Sequence, residues 1–112
     1  MSSKKFKLTS AASVNLTPIQ HLGANLKGLI VVNTNAAARC VKFYDKDDPA
    51  VTVGTDVPVL TVQCAASSMT TILPMDGISF TKGLVMAMTV NPVDSDATAV
   101  GAGDLIATVL YE

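Results

Sequence analysis

Aromatic and charged residues are both scarce in this sequence. Aromatic residues make up 4% of its 112 positions and tryptophan is absent. Charged residues make up 15%, against roughly a quarter in a typical domain. The core must therefore come from Val, Ile, Leu, Met and Ala, and a small monomer with so few charges would expose much apolar surface. This composition favours self-association or docking onto a partner.

Arginine, histidine and glutamate occur once each, as Arg39, His21 and Glu112. One arginine, no basic stripe and few aromatic rings leave little for phosphate contacts or base stacking, so nucleic acid is not an expected partner. A hydrolase needs a nucleophile, a base and an orienting group, and no such motif stands beside His21. We therefore predict no catalytic residue and a protein that is not an enzyme.

Long apolar runs are also missing. No segment approaches the roughly 18 apolar residues that a membrane span needs, and Thr, Ser and Asn interrupt 8–16, so no signal-peptide core follows the first lysines. We predict synthesis in the cytoplasm and no membrane partner. The spacing of the two cysteines, Cys40 and Cys64, matches no zinc or redox motif, and we predict no metal and no cofactor.

The residues that are abundant favour β-structure. The chain has 14 valines and 12 threonines, and turn residues recur at short intervals. The predicted strands are Ala12–Leu22, Leu26–Asn33, Ala38–Asp45, Val59–Cys64, Ser68–Leu73, Ile78–Thr81, Leu84–Val90 and Leu105–Tyr111. About eight short strands with two long loops, 46–57 and 91–104, predict an all-β, two-sheet antiparallel sandwich, jelly-roll-like. A capping box at 17–20 that opens a short helical turn remains the alternative for the first strand.

The first residues differ in charge from the rest. Lys4, Lys5 and Lys7 fall within the first seven residues, which contain no acid. We predict a basic, flexible N-terminal arm over 1–10 and a single sandwich domain over 11–112. The arm either contacts an acidic surface or is a solvated, frayed terminus.

The stretch from Asn33 to Asp45 carries the clearest local pattern. The apolar run 29–32 before it predicts a central strand covered on both faces, and Asn33 predicts a corner between antiparallel strands. After that corner Val41 and Phe43 alternate with a second set of side chains, so we expect these two to face the core. The second set, expected to be available to a neighbouring subunit, is Cys40, Lys42 and Tyr44.

The same alternation separates the two cysteines. Cys64 shares a face with Leu60 and Val62, which places it inward, whereas Cys40 lies on the opposite face of its strand. This parity argues against a Cys40–Cys64 bridge within one chain. Cys40 is instead a candidate for an inter-subunit disulfide, and the alternative is a reduced, packed thiol.

Two groups of carboxylates lie in the predicted loops. They are Asp45, Asp47 and Asp48, and separately Asp94 and Asp96. Calcium takes six to eight oxygen ligands, and Asp-x-Asp spacing in a loop is compatible with it. Neither group has the bidentate Glu and the Gly of an EF-hand. The alternative is solvated loops whose Asp side chains accept hydrogen bonds from backbone N–H groups.

Several segments together resemble a family of small tailed-bacteriophage virion proteins, head decoration or cement-like β-sandwiches. The resemblance lies in Asn33–Arg39, Lys42–Asp45, Val53–Leu60, Gly77–Leu84 and Asp94–Val100, and extends in order from about Leu26 to Tyr111. The sequence departs from the family pattern at Cys40, where a larger aromatic or basic residue is more usual.

The resemblance implies a non-enzymatic virion structural protein. The expected role is a capsid decoration or cement protein on the head surface, acting as a homo-oligomer (a trimer is one candidate) whose partner is the major capsid protein. Exposed apolar strands would join the copies, and Lys4, Lys5 and Lys7 would contact an acidic capsid surface. The alternative is a tail- or fibre-associated module for host carbohydrate, with Tyr44 beside Asp45 as its local candidate.

Overall fold

The computed structural model describes residues 4–47 and 50–112 of the chain. In these residues nine strands form: β1 (Lys4–Thr9), β2 (Thr17–His21), β3 (Ala24–Asn33), β4 (Arg39–Asp45), β5 (Leu60–Cys64), β6 (Ser68–Ile72), β7 (Ile78–Phe80), β8 (Gly83–Thr89) and β9 (Leu105–Tyr111). The predicted all-β antiparallel sandwich is confirmed. Within the described ranges no helix is long and apolar enough to cross a membrane.

The strands form two antiparallel sheets with the strand order of a jelly roll. The first sheet has the order β1-β9-β3-β6, with β7 also paired to β3, and the second has the order β2-β8-β4-β5. Because β6 and β7 pair with successive parts of β3, they act as one strand interrupted by a turn. Eight strands result, arranged as in a double-sheet jelly roll.

The core lies between the two sheets and is built by alternate residues of each central strand. Leu29 and Val31 of β3 pack against Val41 and Phe43 of β4, and all four are 1% exposed or less. The rings of Phe43 and Phe80 meet edge to face, with centroids 6.4 Å apart. The predicted inward faces of β4 and of Leu60, Val62 and Cys64 in β5 agree with this core.

The N-terminal residues differ from the predicted flexible arm. Lys4–Thr9 form β1, which pairs along its whole length with β9, and Phe6 and Leu8 pack against the core. Ser10 is buried, and its hydroxyl donates to the carbonyl of Gly101 at 2.8 Å. Alternation of Phe6 and Leu8 with Lys5 and Lys7 is the period-two signal of this strand, which the lysine content of the segment obscured. Residues 1–3 of the predicted arm lie outside the described residues.

The corner at Asn33 also differs from the prediction in its connectivity. β3 belongs to the first sheet and β4 to the second, so Asn33 begins a crossing between sheets rather than a hairpin. The side-chain nitrogen of buried Asn33 donates to the carbonyls of Ala37, Cys64 and Ala65 at 3.1–3.2 Å. One amide therefore ties the crossing to the turn between β5 and β6.

Candidate assembly surface

The residues predicted to contact a neighbour are buried in this chain. Cys40, Lys42 and Tyr44 lie on the outer side of the second sheet, as the alternation predicted, but each is 1% exposed or less. Their partners in β8, which are Thr89, Ala87 and Val85, are equally buried. The outer side of the two central strands, β4 and β8, is therefore a second buried layer, whereas Pro18 and Gln63 on the edge strands are exposed. The prediction that Cys40, Lys42 and Tyr44 are accessible is wrong for the folded chain.

The two long loops produce this burial. Val51 and Val53 of the first loop pack with Tyr44 and Val85. The second loop crosses Lys42, whose ammonium nitrogen donates to the main-chain oxygens of Val93 at 2.7 Å and Asp96 at 3.1 Å. The loops therefore act as a lid on the second sheet.

The carboxylates in these loops accept hydrogen bonds from the chain itself. The Asp96 carboxylate accepts from the backbone and side chains of Asn91 and Thr98 at 2.7–3.4 Å. Desolvation raises the pKa of Asp96, but these hydrogen bonds outweigh it and the net pKa is lowered. Asp45 accepts from the backbone N–H groups of Lys82 and Gly83. The contacts of both carboxylates agree with the alternative to a calcium site, in which Asp side chains accept hydrogen bonds from backbone N–H groups. Asp48 lies outside the described residues.

Both cysteines are buried free thiols in the folded chain. Burial raises the pKa of Cys40, and it also raises the pKa of Cys64. Cys40 lies opposite Gln63, which is the residue before Cys64 on the neighbouring strand. The side chains of Cys40 and Cys64 therefore point to opposite faces of the sheet. With 0% of its surface exposed, Cys40 does not present a thiol to a neighbour in this fold, contrary to the predicted inter-subunit disulfide.

Tyr44 is likewise inaccessible as a platform for a sugar ring. Its side chain is 1% exposed, and its hydroxyl has no hydrogen-bond partner among the described residues. Burial raises the pKa of Tyr44, and the nearby carboxylates of Asp56 and Asp94 raise it further. The residue therefore belongs to the packing beneath the loops.

The outer side of the first sheet, in contrast, is left uncovered. Three rows of outward side chains cross its four strands in register, and we call them the open face. The rows are Thr9, Ile106, Val32 and Met69; Lys7, Thr108, Ile30 and Thr71; and Lys5, Leu110 and Gly28, which Leu73, one residue past the end of β6, extends. Apart from Gly28, every member is half-buried or exposed, with Met69 at 65% and Leu73 at 66%.

Gly28 is covered by the leucines of its own row. A Cβ atom at this position would lie 2.9 Å from Leu73 Cδ2 and 3.2 Å from Leu110 Cδ1. The missing side chain thus lets the two leucines lean together across β3. The centre of the third row is a continuous apolar surface although its middle residue has no side chain.

The open face is basic along one edge and contains no carboxylate. Lys5 and Lys7 point outward from β1, and the remaining members are Gly, Thr or apolar residues. The first predicted contact residue, Lys4, is exposed at the start of the same strand. The fold thus brings Lys5 and Lys7 together with the outward residues of β9, leaves Lys4 on the other face of β1, and buries Cys40, Lys42 and Tyr44 elsewhere.

Residues 4–47 and 50–112 offer no concave site for a small ligand. They contain no pocket and no group of three or more His, Cys, Asp or Glu side chains placed to hold a metal ion. The single histidine, His21, is exposed at the end of β2. The accessible features of this part of the chain are surfaces rather than cavities.

No protein-family model and no curated protein sequence matches the chain. Several solved structures are similar over 98% of it. They include a Bacillus endospore appendage protein of disulfide-linked pili, with 12% identity, 85% of that chain covered and a TM-score of 0.48. The protein PirA has 9% identity, 93% of that chain covered and a TM-score of 0.44. The coat protein of tobacco streak virus has 7% identity, 85% of that chain covered and a TM-score of 0.44. These similarities assign no activity or partner to this chain.

Proposed function

We propose that this chain is a non-enzymatic structural protein of a bacteriophage virion, a capsid decoration or cement protein that docks on the head through its open face. The observation that carries the proposal is the contrast between the two sheets. The chain buries the outer side of the central strands β4 and β8 of the second sheet under its own loops, and leaves the outer side of the first sheet largely apolar and uncovered across all its strands. A surface of this kind is typical of a contact with another protein.

The size of the open face fits such a contact. Four strands about 4.8 Å apart and three outward positions about 6.8 Å apart give an area on the order of 400 Å². This is in the range of the largest apolar patch on a typical monomer, which is often functional, at about 300–600 Å². The face supplies about half of the roughly 800 Å² that each partner buries in a standard interface.

The charge of the open face indicates an acidic partner. Lys5 and Lys7 flank the apolar rows, and no carboxylate lies among them to satisfy these ammonium groups. A partner surface with carboxylates around an apolar centre would complement both properties. Such a surface on the major capsid protein is the contact that we propose.

The side chains that could take part in catalysis, the two thiols and His21, are placed in ways that support a structural role. The two thiols are buried and their pKa values are raised, which suppresses the thiolate that a cysteine nucleophile requires. His21 lies at an exposed strand end, away from both. Burial of Tyr44 removes the residue on which the carbohydrate-binding alternative depended.

The location of the protein on the particle is the decisive test. Gold-labelled antibody against the chain, imaged on purified virions, is expected to mark the whole head surface, and quantitative mass spectrometry is expected to find many copies per particle. Label confined to the tail or to a vertex, or absent from virions, would contradict the proposal.

A charge reversal tests the docking surface itself. Lys7→Glu is expected to weaken binding to virions stripped of the protein by tenfold or more, with the difference largest at low salt, because the contact is charge-dependent. Lys82→Glu, on the turn between β7 and β8, carries the same charge change away from the open face and should bind normally. Equal binding by both variants would exclude this face as the docking surface.

A further inference from the structure

The two sheets have four edge strands, and two of them are protected against pairing with another chain. β1 carries Lys4, Lys5 and Lys7, and charged side chains, lysine above all, disfavour edge-to-edge association. β2 contains Pro18, which lacks an N–H donor, and its register shifts between Pro18 and Gln20. This side of the sandwich is therefore unsuited to receive another strand.

The opposite side of the sandwich has no such protection. Its edges are β5 and β6, which a short turn at 65–67 connects. From Val57 to Met75 the chain contains no charged residue. β6 has neither proline nor a register shift, and its outward Met69 and Thr71 are exposed. An uncharged edge with regular pairing is a template for a further strand.

β6 and β1 differ in how well each could pair with the same strand of a second copy, and the reason is the register of that pairing. In an antiparallel pair, opposite residues share a face, so outward residues must meet outward residues if both cores stay buried. For β1 every such register centred on the strand sets Lys5 or Lys7 against a lysine of the second copy. Like charges directly opposite are destabilising.

The same antiparallel pairing of β6 with its own copy places no like charges opposite one another. Centred on Thr70, it sets Thr70 opposite its own copy and outward Met69 opposite outward Thr71. Half-buried Ser68 and Ile72 then lie opposite one another on the inner side. The strand is self-complementary about a two-fold axis, as an isologous contact requires.

We propose that β6 pairs with β6 of a second copy across a two-fold axis at Thr70, joining the first sheets of two chains into one continuous sheet. The inference deepens the proposed function and rests on it for its setting. Because the axis is perpendicular to the sheet, both open faces lie on the same side. Together they offer about 800 Å², the area that one partner buries in a standard interface.

The pairing is short, which sets its strength. β6 has five residues and Pro74 follows it closely, so few backbone hydrogen bonds can form across the axis. The isolated chain should therefore dimerise only at high concentration. Docking of both open faces on one shell adds avidity, since the second contact becomes intramolecular.

Sedimentation velocity over a range of concentrations tests the pairing in the isolated chain. The unmodified protein is expected to shift from monomer to dimer, and Met69→Lys combined with Thr71→Lys should abolish the dimer because lysines then meet across the axis. Thr52→Lys together with Thr55→Lys, at exposed loop positions away from β6 and from the open face, adds the same charge and should leave dimerisation unchanged. Circular dichroism would verify that each variant is folded.

A mixing experiment tests the register. Met69→Cys and Thr71→Cys are prepared separately, oxidised, and examined on non-reducing gels. Opposite Cα atoms about 4.5–5.5 Å apart permit a disulfide, so a covalent dimer is expected chiefly in the mixture of the two variants. Efficient cross-linking of either variant alone would contradict this register.

Three results would overturn the proposal: a monomer at every concentration, a trimer, or a dimer that survives the lysine substitutions. These outcomes are independent of the location of the protein on the virion. A head protein that does not pair through β6 would contradict only the pairing. A β6 dimer that is absent from the head would contradict only the proposed function.

Discussion

The ammonium nitrogen of Lys42 lies 2.7 Å from the carbonyl oxygen of Val93, fully buried beneath the loop that Val93 belongs to. A charged side chain is rarely buried unless it is paired or hydrogen-bonded. Here the hydrogen bonds hold the second long loop against the second sheet. This contact keeps the outer side of β4 covered, whereas the open face of the first sheet has no loop packed on it.

Replacing the ammonium group should therefore loosen the loop. Lys42→Met keeps most of the side-chain volume but removes the donor shared by the carbonyls of Val93 and Asp96, of which Val93 keeps the backbone N–H of Asp96, and we expect a loss of about 1–3 kcal/mol in the free energy of unfolding. Urea denaturation would measure it. The matched change Lys46→Met removes a part-exposed ion pair with Asp56 and should lower the free energy of unfolding by less than Lys42→Met does, because exposed ion pairs contribute little. Equal losses in the free energy of unfolding for the two variants would contradict the role of Lys42 in holding the second loop on the sheet.

Stability should fall in acid because native carboxylates are hydrogen-bonded. Hydrogen bonds from Asn35 and Gly101, aided by Arg39, lower the pKa of Asp104. A lowered native pKa means that the stabilisation is present above the unfolded pKa, near 3.9, and is lost as the pH falls through the native value. Asp104→Asn should cost about 1–3 kcal/mol at neutral pH, and its difference from the unmodified chain should shrink below about pH 4.

Urea unfolding at several pH values would check this dependence. The control is Asp76→Asn, at a turn where the main-chain oxygen rather than the carboxylate accepts a hydrogen bond. It removes a carboxylate that accepts no hydrogen bond from the described residues and is the charge-matched comparison for Asp104→Asn. A parallel profile for Asp104→Asn would mean that this carboxylate does not contribute to the acid sensitivity.

The amide of Asn33 should be sensitive to an isosteric change. Asn33→Asp turns the donor that faces three carbonyl oxygens into an acceptor, and we expect a loss of about 3 kcal/mol or more. Asn25→Asp loses one exposed hydrogen bond and should cost less than about 1 kcal/mol. Thermal unfolding followed by circular dichroism would compare them, and similar midpoints for both variants would contradict the role of the buried amide.

The two thiols should be unreactive until the chain unfolds. Because both are buried and their pKa values are raised, Ellman's reagent is expected to titrate neither in the native protein and both in urea. Non-reducing gels of oxidised protein should show only monomer, with or without Cys40→Ser. A dimer band that Cys40→Ser removes would restore the inter-subunit disulfide and require the lid loops to open.

Much of the architecture follows from local patterns in the sequence. Alternation placed Val41 and Phe43 in the core and Cys40 on the opposite face, and both are observed. The apolar run 29–32 marked a central strand, which β3 is, but within this chain only one of its faces is covered, since Ile30 and Val32 belong to the open face. Strand β1 was missed because its lysines suggested a frayed terminus, although Phe6 and Leu8 carried the period-two signal.

The candidate site was less predictable, because alternation assigns a residue to a face but does not say what covers that face. Lys42 and Tyr44 face away from the core as predicted, yet loops distant in sequence bury them. Conversely, strand alternation puts Ile106, Thr108 and Leu110 on one face of β9, but no local pattern indicates that this face stays uncovered. The placement of the loops depends on contacts such as Lys42 with Val93, far apart along the chain.

The sequence by itself determined the β-class, the central place of β3, the core residues of β4, and the scarcity of charge that calls for a partner, because periodicity and composition act locally. Only the tertiary structure decided which sheet keeps its outer face open. That choice depends on where two long loops pack, and long-range packing leaves no periodic trace in the chain.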